Sequence, residues 1–191
     1  MTCIVGLIHN GSVYMDADSG SLTGYAQTSV AETKVYRKGE LLIGDSGSVR
    51  CAQILRYAVK PQTIPQDADM HEYLSTVFAD DFRRALKAAG IETPWKQPDP
   101  WGEALIGARG RLYKLGHDFS VVSSAGSAYM CLGGAADIAL GAMFVTRAWP
   151  DPKLRLELAL SAATHHMAGI LPPYVIEELK PEDWKPTGAA S

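Results

Sequence analysis

The sequence predicts an α+β fold, specifically a four-layer αββα sandwich in which two antiparallel sheets lie between two pairs of helices. The predicted elements come in blocks: four strands, two helices, three or four strands, two helices and one strand. Such blocks are typical of antiparallel sheets with helices stacked outside, whereas a parallel sheet needs strictly alternating strands and helices. At 191 residues the chain fits one domain, predicted over residues 1–180, with a frayed tail over 181–191.

The first block of strands consists of short apolar runs separated by turn residues, namely residues 2–8, 12–17, 30–37 and 40–43. Asn10-Gly11 lies between the first two runs and is a strong signal for a tight hairpin with a type I′ turn. The Ser-, Gly- and Thr-rich stretch that ends at Gly24 is typical of a loop.

The first pair of helices follows a glycine-rich break at residues 44–48. Ser48 can cap a helix whose apolar face includes Val49, Ile54 and Leu55. Asp67 or Asp69 can cap a second helix that runs to about residue 89 and is ended by a glycine.

The second block of strands and helices follows a loop at residues 93–100. Strands are predicted at 103–109, 111–116, 119–124 and near 128–132. Helices at 135–146 and 152–167 and a short strand at 174–176 complete the order of elements.

The composition excludes several classes of function. A net charge of −3 does not favour nucleic acid or an anionic membrane surface as a partner. No apolar run is long enough to span a membrane. The three cysteines are too few and too scattered for a zinc site or a disulfide framework, which favours reduced thiols in a cytoplasmic protein. No metal or cofactor is predicted.

Thr2 is the first candidate for a chemical role. Removal of Met1 would leave a threonine that carries both a hydroxyl and a free α-amine. Such a pair can act as nucleophile and general base within one residue. Taken alone, the threonine has an ordinary explanation, because a small second residue permits removal of the initiator methionine.

Three residues share a spacing that gives Thr2 more weight: Thr2 opens the first strand, Asp18 ends the second, and Lys34 follows sixteen residues later. This arrangement resembles the proteasome β-subunit family and its bacterial relatives, the HslV-type peptidases, which are N-terminal nucleophile hydrolases with an αββα fold. The resemblance extends to about residue 180 and suggests a divergent bacterial proteasome homologue. It is carried by Thr2-Cys3-Ile4-Val5-Gly6, Ala17-Asp18-Ser19, Gly44-Asp45-Ser46-Gly47, Gly133-Gly134-Ala135, Ala139-Leu140-Gly141-Ala142 and Tyr174-Val175-Ile176-Glu177-Glu178-Leu179.

The resemblance implies a threonine-type endopeptidase with four catalytic residues. Thr2 would be the nucleophile, and its own α-amine, of a kind that titrates near pH ~8, would be the base. Lys34 would place positive charge beside the hydroxyl, and Asp18 would hold Lys34 in place. The backbone N–H of Gly47 would stabilise the oxyanion.

The resemblance is weaker at the positions that support the amine. A serine of active proteasome subunits aligns with Gly134, and two polar positions align with Met167 and Ile170, with Ser161 or Thr164 as substitutes. Two functions are therefore open: an active threonine peptidase, or a ring-forming scaffold or binding compartment with little or no activity.

The resemblance also implies partners. Identical subunits would form stacked rings, as a dodecamer or a tetradecamer, around peptide or unfolded-protein substrates. An ATPase unfoldase is a further partner of such rings.

Overall fold

The computed structural model describes residues 1–60, 63–91 and 102–184. Its strands are β1 (Ile4–His9), β2 (Ser12–Ala17), β3 (Gly20–Thr23), β4 (Ala26–Ser29), β5 (Val35–Lys38), β6 (Leu41–Gly47), β7 (Gly102–Ala108), β8 (Arg111–Leu115), β9 (Val121–Ser123), β10 (Tyr129–Leu132) and β11 (Val175–Leu179). Its helices are α1 (Val49–Tyr57), α2 (Met70–Tyr73, a π-helical turn Leu74–Phe78, then Ala79–Ala88), α3 (Ala136–Val145) and α4 (Pro152–His166).

Two antiparallel sheets form the centre of the molecule. One has the order β10-β1-β2-β11 and the other β5-β6-β7-β8-β9, while β3 and β4 form a separate hairpin. Asn10 and Gly11 join β1 to β2, and both have the positive φ angles that a type I′ turn requires, 50° and 80°.

The alternation of side chains along each strand divides the core into three layers. Val5 and Leu7 of β1 pack against α3 and α4, whereas Ile4 faces the second sheet. On the far side of the second sheet, Ile43 and neighbouring residues pack against α1 and α2. The sandwich therefore has the predicted αββα layers, with apolar contacts between every adjacent pair of layers.

Some predicted boundaries were wrong. The stretch predicted as a loop through Gly24, together with the unassigned residues up to 29, forms the hairpin β3–β4 instead. β5 begins only at Val35, because pairing with β6 starts there, opposite Gly44. β6 does not stop at residue 43 but continues to Gly47, because β7 pairs with it along that whole length.

The end of the described chain packs against the sandwich. Pro181–Asp183 form a 3₁₀ turn, Asp183 pairs with Arg37, and Trp184 contacts the core between the sheets. The rest of the predicted tail and the predicted loop at 93–100 lie outside the described residues. Over the ranges described, no helix is long and apolar enough to cross a membrane.

Candidate active site

Asp18 lies where the chain leaves β2 and turns into β3, and its side chain is buried. Its Oδ1 accepts a hydrogen bond from the backbone N–H of Cys3 at 2.9 Å, and its Oδ2 accepts one from Gly20 at 2.8 Å. A short acidic side chain suits this turn because it can reach backbone donors close to it in space. Both carboxylate oxygens are therefore fixed in direction.

Lys34 meets that carboxylate from the other sheet. It lies one residue before β5, not on a strand as predicted, and its side chain is 14% exposed. Its Nζ lies 2.9 Å from each oxygen of Asp18 and 2.8 Å from the carbonyl oxygen of Gly20. The fourth neighbour is the carbonyl oxygen of Met1, at 3.3 Å. The lysine charge thus lies against the peptide bond that precedes Thr2.

Thr2 is half-buried and lies two residues before β1. Its carbonyl oxygen accepts a hydrogen bond from the backbone N–H of Ala135 at 3.4 Å. Gly133 has a φ of 95°, and a Cβ there would overlap that same carbonyl group. The segment between β10 and α3 therefore holds the backbone of Thr2, and glycine is required where it does so.

Gly47 ends β6 with a φ of 126°, a conformation that favours glycine. The next residue, Ser48, is the N-cap of α1, and its Oγ accepts a hydrogen bond from the backbone N–H of Cys51 at 3.4 Å. This confirms the predicted cap. Gly47 therefore lies beside the N-terminus of a helix, where backbone N–H groups attract negative charge.

A cleft of about 570 Å³ brings Thr2, Lys34 and Gly47 to one surface. Residues of β3 form one wall and residues of α1 the other. The lining residues are Met1, Thr2, Gly20, Ser21, Leu22, Val30, Glu32, Thr33, Lys34, Asp45, Gly47, Val49, Ala52, Gln53, Arg56 and Tyr57. Asp18 does not line the cleft itself and reaches it through Lys34.

Burial controls the ionisation of two further groups near the cleft. It raises the pKa of Cys3 to about 12, so this thiol is protonated at neutral pH and is not a competing nucleophile. Burial also raises the pKa of Asp45 to about 6, although the positive charges of Arg56 and Lys34 oppose that effect.

Two glycines make room for the side chain of Met1. A Cβ on Gly134 would lie 2.8 Å from Cε and 3.3 Å from Sδ of Met1. A Cβ on Gly169 would lie 3.3 Å from Cβ of Met1 and 3.2 Å from Cβ of Leu22. Gly134, which the resemblance aligns with a supporting serine, therefore lies next to the apolar side chain of Met1.

Met167 and Ile170, which the resemblance aligns with two polar supports of the amine, offer no polar side chain, and the two predicted substitutes do not replace them. Ile170 is buried in the core beneath α3 and α4, and Met167 packs at its edge. Of the two substitutes, Ser161 is exposed, and the hydroxyl of Thr164 lies 2.9 Å from that of Tyr174.

The hairpin β3–β4 is the part of the site that the sequence did not predict. Gln27 on β4 accepts a hydrogen bond from the backbone N–H of Gly169 at 2.8 Å, and Ser29 donates one to the carbonyl oxygen of Pro172 at 2.6 Å. These bonds attach the hairpin to the segment between α4 and β11. The turn glycine, Gly24, was the available signal.

No protein-family model matches the sequence, and no curated protein does. Solved structures match it across nearly its whole length. BPH from Thiobacillus denitrificans, solved in complex with epoxomicin, has a TM-score of 0.78 at 20% identity, over 94% of this chain and 98% of that one.

Two other kinds of protein share the fold. HslV from Trypanosoma brucei has a TM-score of 0.67 at 15% identity, over 94% of this chain and 99% of that one. Anbu (ancestral beta-subunit) from Yersinia bercovieri has a TM-score of 0.69 at 12% identity, over 96% and 84%. The chain therefore has the fold of proteasome-type N-terminal nucleophile hydrolase subunits.

Proposed function

We propose that this chain is a threonine-type endopeptidase that acts through Thr2 once Met1 has been removed. The observation that carries the proposal is the position of Lys34, whose Nζ joins the buried carboxylate of Asp18 to the carbonyl that precedes Thr2. A fixed cation beside a hydroxyl favours loss of its proton, which a threonine needs before it can attack.

The reaction would follow from this geometry in two stages. The hydroxyl of Thr2 passes its proton to the freed α-amine as Oγ attacks the substrate carbonyl carbon. The backbone N–H of Gly47 stabilises the resulting oxyanion. The C–N bond breaks, and the leaving amine takes the proton from the α-ammonium. Water then attacks the ester on Thr2, which releases the acyl product and restores the hydroxyl.

Removal of Met1 is the first requirement of the proposal, and intact mass spectrometry of the purified protein tests it. We expect a mass that corresponds to an N-terminal threonine. Retention of Met1 on all molecules would leave the α-amine on the wrong residue and would contradict the peptidase proposal.

Peptide hydrolysis tests the nucleophile itself. The Thr2→Ala variant should lose all activity above background, whereas Thr23→Ala, a matched control at the exposed end of β3, should keep it. Equal activity of wild type and Thr2→Ala would mean that another group, or a contaminant, cleaves the peptide.

One observation favours a second candidate, a compartment with little activity. The apolar side chain of Met1 fits against Gly134 and Gly169, and Met167 and Ile170 offer no polar group. If Met1 stays in this position, Thr2 has no free amine, and the chain would keep the fold and a cleft without the base.

Assembly into rings of identical subunits is part of both candidates. Apart from Asp137 in its first turn, helix α3 is apolar both toward the core, at Ala139 and Met143, and on its exposed side, at Phe144 and Val145. We define the exposed side chains of Phe144 and Val145 as the α3 face; Trp149 and Leu154, which follow in the sequence, are exposed as well. A helix that is hydrophobic all round is normally buried, and a second copy of this chain would bury it. Ring size, dodecamer or tetradecamer, and an ATPase partner follow only from the resemblance.

A further inference from the structure

The hairpin β3–β4 supplies one wall of the cleft but belongs to neither of the two main sheets. It is a separate two-stranded sheet. All four residues of β4 are exposed, and Gly20 is the one buried residue of β3. A two-stranded hairpin alone is only marginally stable in water, because it buries little apolar surface. Contacts with other segments therefore decide where this wall of the cleft lies.

One face of the hairpin lies against the segment between α4 and β11. Gln27 is opposite Leu22 in the hairpin, and Ser29 is opposite Gly20. Residues two apart on a strand, and residues directly opposite each other, point to the same side of a sheet. A Cβ on Gly169 would lie 3.2 Å from Cβ of Leu22, and a Cβ on Gly20 would lie 2.1 Å from the carbonyl oxygen of Gly169. The face that carries Gln27 and Ser29 therefore approaches this segment closely.

The two polar side chains of that face bond to the backbone of the segment. Oε1 of Gln27 accepts a hydrogen bond from the N–H of Gly169 at 2.8 Å, and Oγ of Ser29 donates one to the carbonyl oxygen of Pro172 at 2.6 Å. A proline has no backbone N–H, so a segment that contains two of them is a poor partner for a regular strand. Side-chain hydrogen bonds attach the hairpin instead. We call Gln27 and Ser29 the hairpin clamp.

The hairpin clamp acts at the end of the hairpin that meets the candidate active site. Gly20, opposite Ser29, accepts a hydrogen bond from Nζ of Lys34 at 2.8 Å through its carbonyl oxygen. The next two residues, Ser21 and Leu22, line the cleft. The strand β3 therefore leads from Lys34 along the wall of the cleft, and the clamp fixes the position of that wall relative to Lys34.

Resting on the proposed peptidase function, we infer that Gln27 and Ser29 are positioning residues that hold the β3 wall where a bound peptide contacts it. Neither is among the residues that line the cleft, so both act through the hairpin. Asp18, Lys34 and the backbone of Thr2 have contacts of their own that do not involve the clamp. Loss of the clamp should therefore leave the chemical step unchanged and weaken peptide binding, because the apparent affinity falls with the fraction of molecules whose wall is in place.

Hydrolysis of fluorogenic peptidyl aminomethylcoumarins tests the inference. Gln27→Met and Ser29→Ala each remove one hydrogen bond, and each should raise KM about threefold to tenfold. The double variant should raise KM about tenfold or more, with kcat within about twofold of the wild type. Ser29→Thr keeps the hydroxyl and should behave as the wild type. Thr23→Ala removes a hydroxyl from the exposed end of β3 and is the matched control.

Hydrogen exchange followed by mass spectrometry gives an independent readout. Amides of residues 20–29 should exchange about tenfold faster in the double variant than in the wild type, while those of β1 and β6 should exchange at the same rate in both. Equal exchange of residues 20–29, an unchanged KM in the double variant, or a fall in kcat without a rise in KM would overturn the inference and leave the peptidase proposal in place. A wild type that hydrolyses none of the peptides would overturn both.

Discussion

The ion pair between Lys34 and Asp18 makes a quantitative prediction about stability. Removal of one member of a buried pair typically costs about 3–5 kcal/mol, because the other charge is left without compensation. Asp18→Asn should fall at the lower end, about 3 kcal/mol, since Lys34 is 14% exposed and keeps the carbonyl of Gly20 as an acceptor. Lys34→Met should cost less, about 1–3 kcal/mol, because the carboxylate of Asp18 keeps two backbone N–H donors.

The double variant measures the pair itself. The double variant that combines Asp18→Asn and Lys34→Met contains no isolated charge. Its loss of unfolding free energy should therefore be at least about 1 kcal/mol smaller than the sum of the losses of the two single variants. Urea unfolding of the wild type, the two single variants and the double variant at pH 7, monitored by circular dichroism, supplies these values. Losses that add to within about 0.5 kcal/mol would refute the idea that the two charges stabilise each other.

Three further predictions concern other parts of the molecule. Burial raises the pKa of Asp16 from 3.8 to about 7, so the folded state binds this proton more tightly than the unfolded state, and stability falls as the pH rises from about 4 to 7. Asp16→Asn should remove that dependence and raise the free energy of unfolding by at most about 4 kcal/mol at pH 8, as urea unfolding at pH 5 and 8 would measure. Gly133→Ala would place a Cβ against the Thr2 carbonyl at a residue with a φ of 95°. This variant should lose about 1–3 kcal/mol of unfolding free energy in the same assay and hydrolyse peptides more slowly. Unchanged hydrolysis would mean that other contacts hold Thr2. Phe144→Glu should dissociate the proposed ring of identical subunits, as multi-angle light scattering would show, while Val122→Glu, equally exposed but on β9, should not.

The layers and most elements could be predicted because local signals and the global fold agree. The Asn10-Gly11 turn, the Ser48 and Asp69 caps and the apolar periods of the helices each depend on residues close in sequence. The sequence also placed Asp18 and Lys34 near one another through the resemblance, and the structure brings their charged atoms to 2.9 Å. Their catalytic roles stay predictions.

The features that were missed depend on contacts between distant segments. The hairpin β3–β4 is polar and exposed at its end, so no apolar alternation marks it, and its attachment to Gly169 and Pro172 joins residues more than 140 positions apart. The extension of β6 to Gly47 likewise depends on β7. The packing of the Met1 side chain against Gly134 could not be predicted, because the presence of a glycine in a sequence does not indicate which side chain fills the space beside it.

Covalent labelling by a peptide epoxyketone, read by intact mass and by peptide mapping, tests whether Thr2 is the nucleophile. We expect one adduct per subunit on Thr2 in the protein that has lost Met1, no adduct on Thr2→Ala, and full labelling of the Thr23→Ala control. An unlabelled wild type with a free N-terminal threonine, or an adduct that persists in Thr2→Ala, would contradict the assignment of Thr2 as the nucleophile.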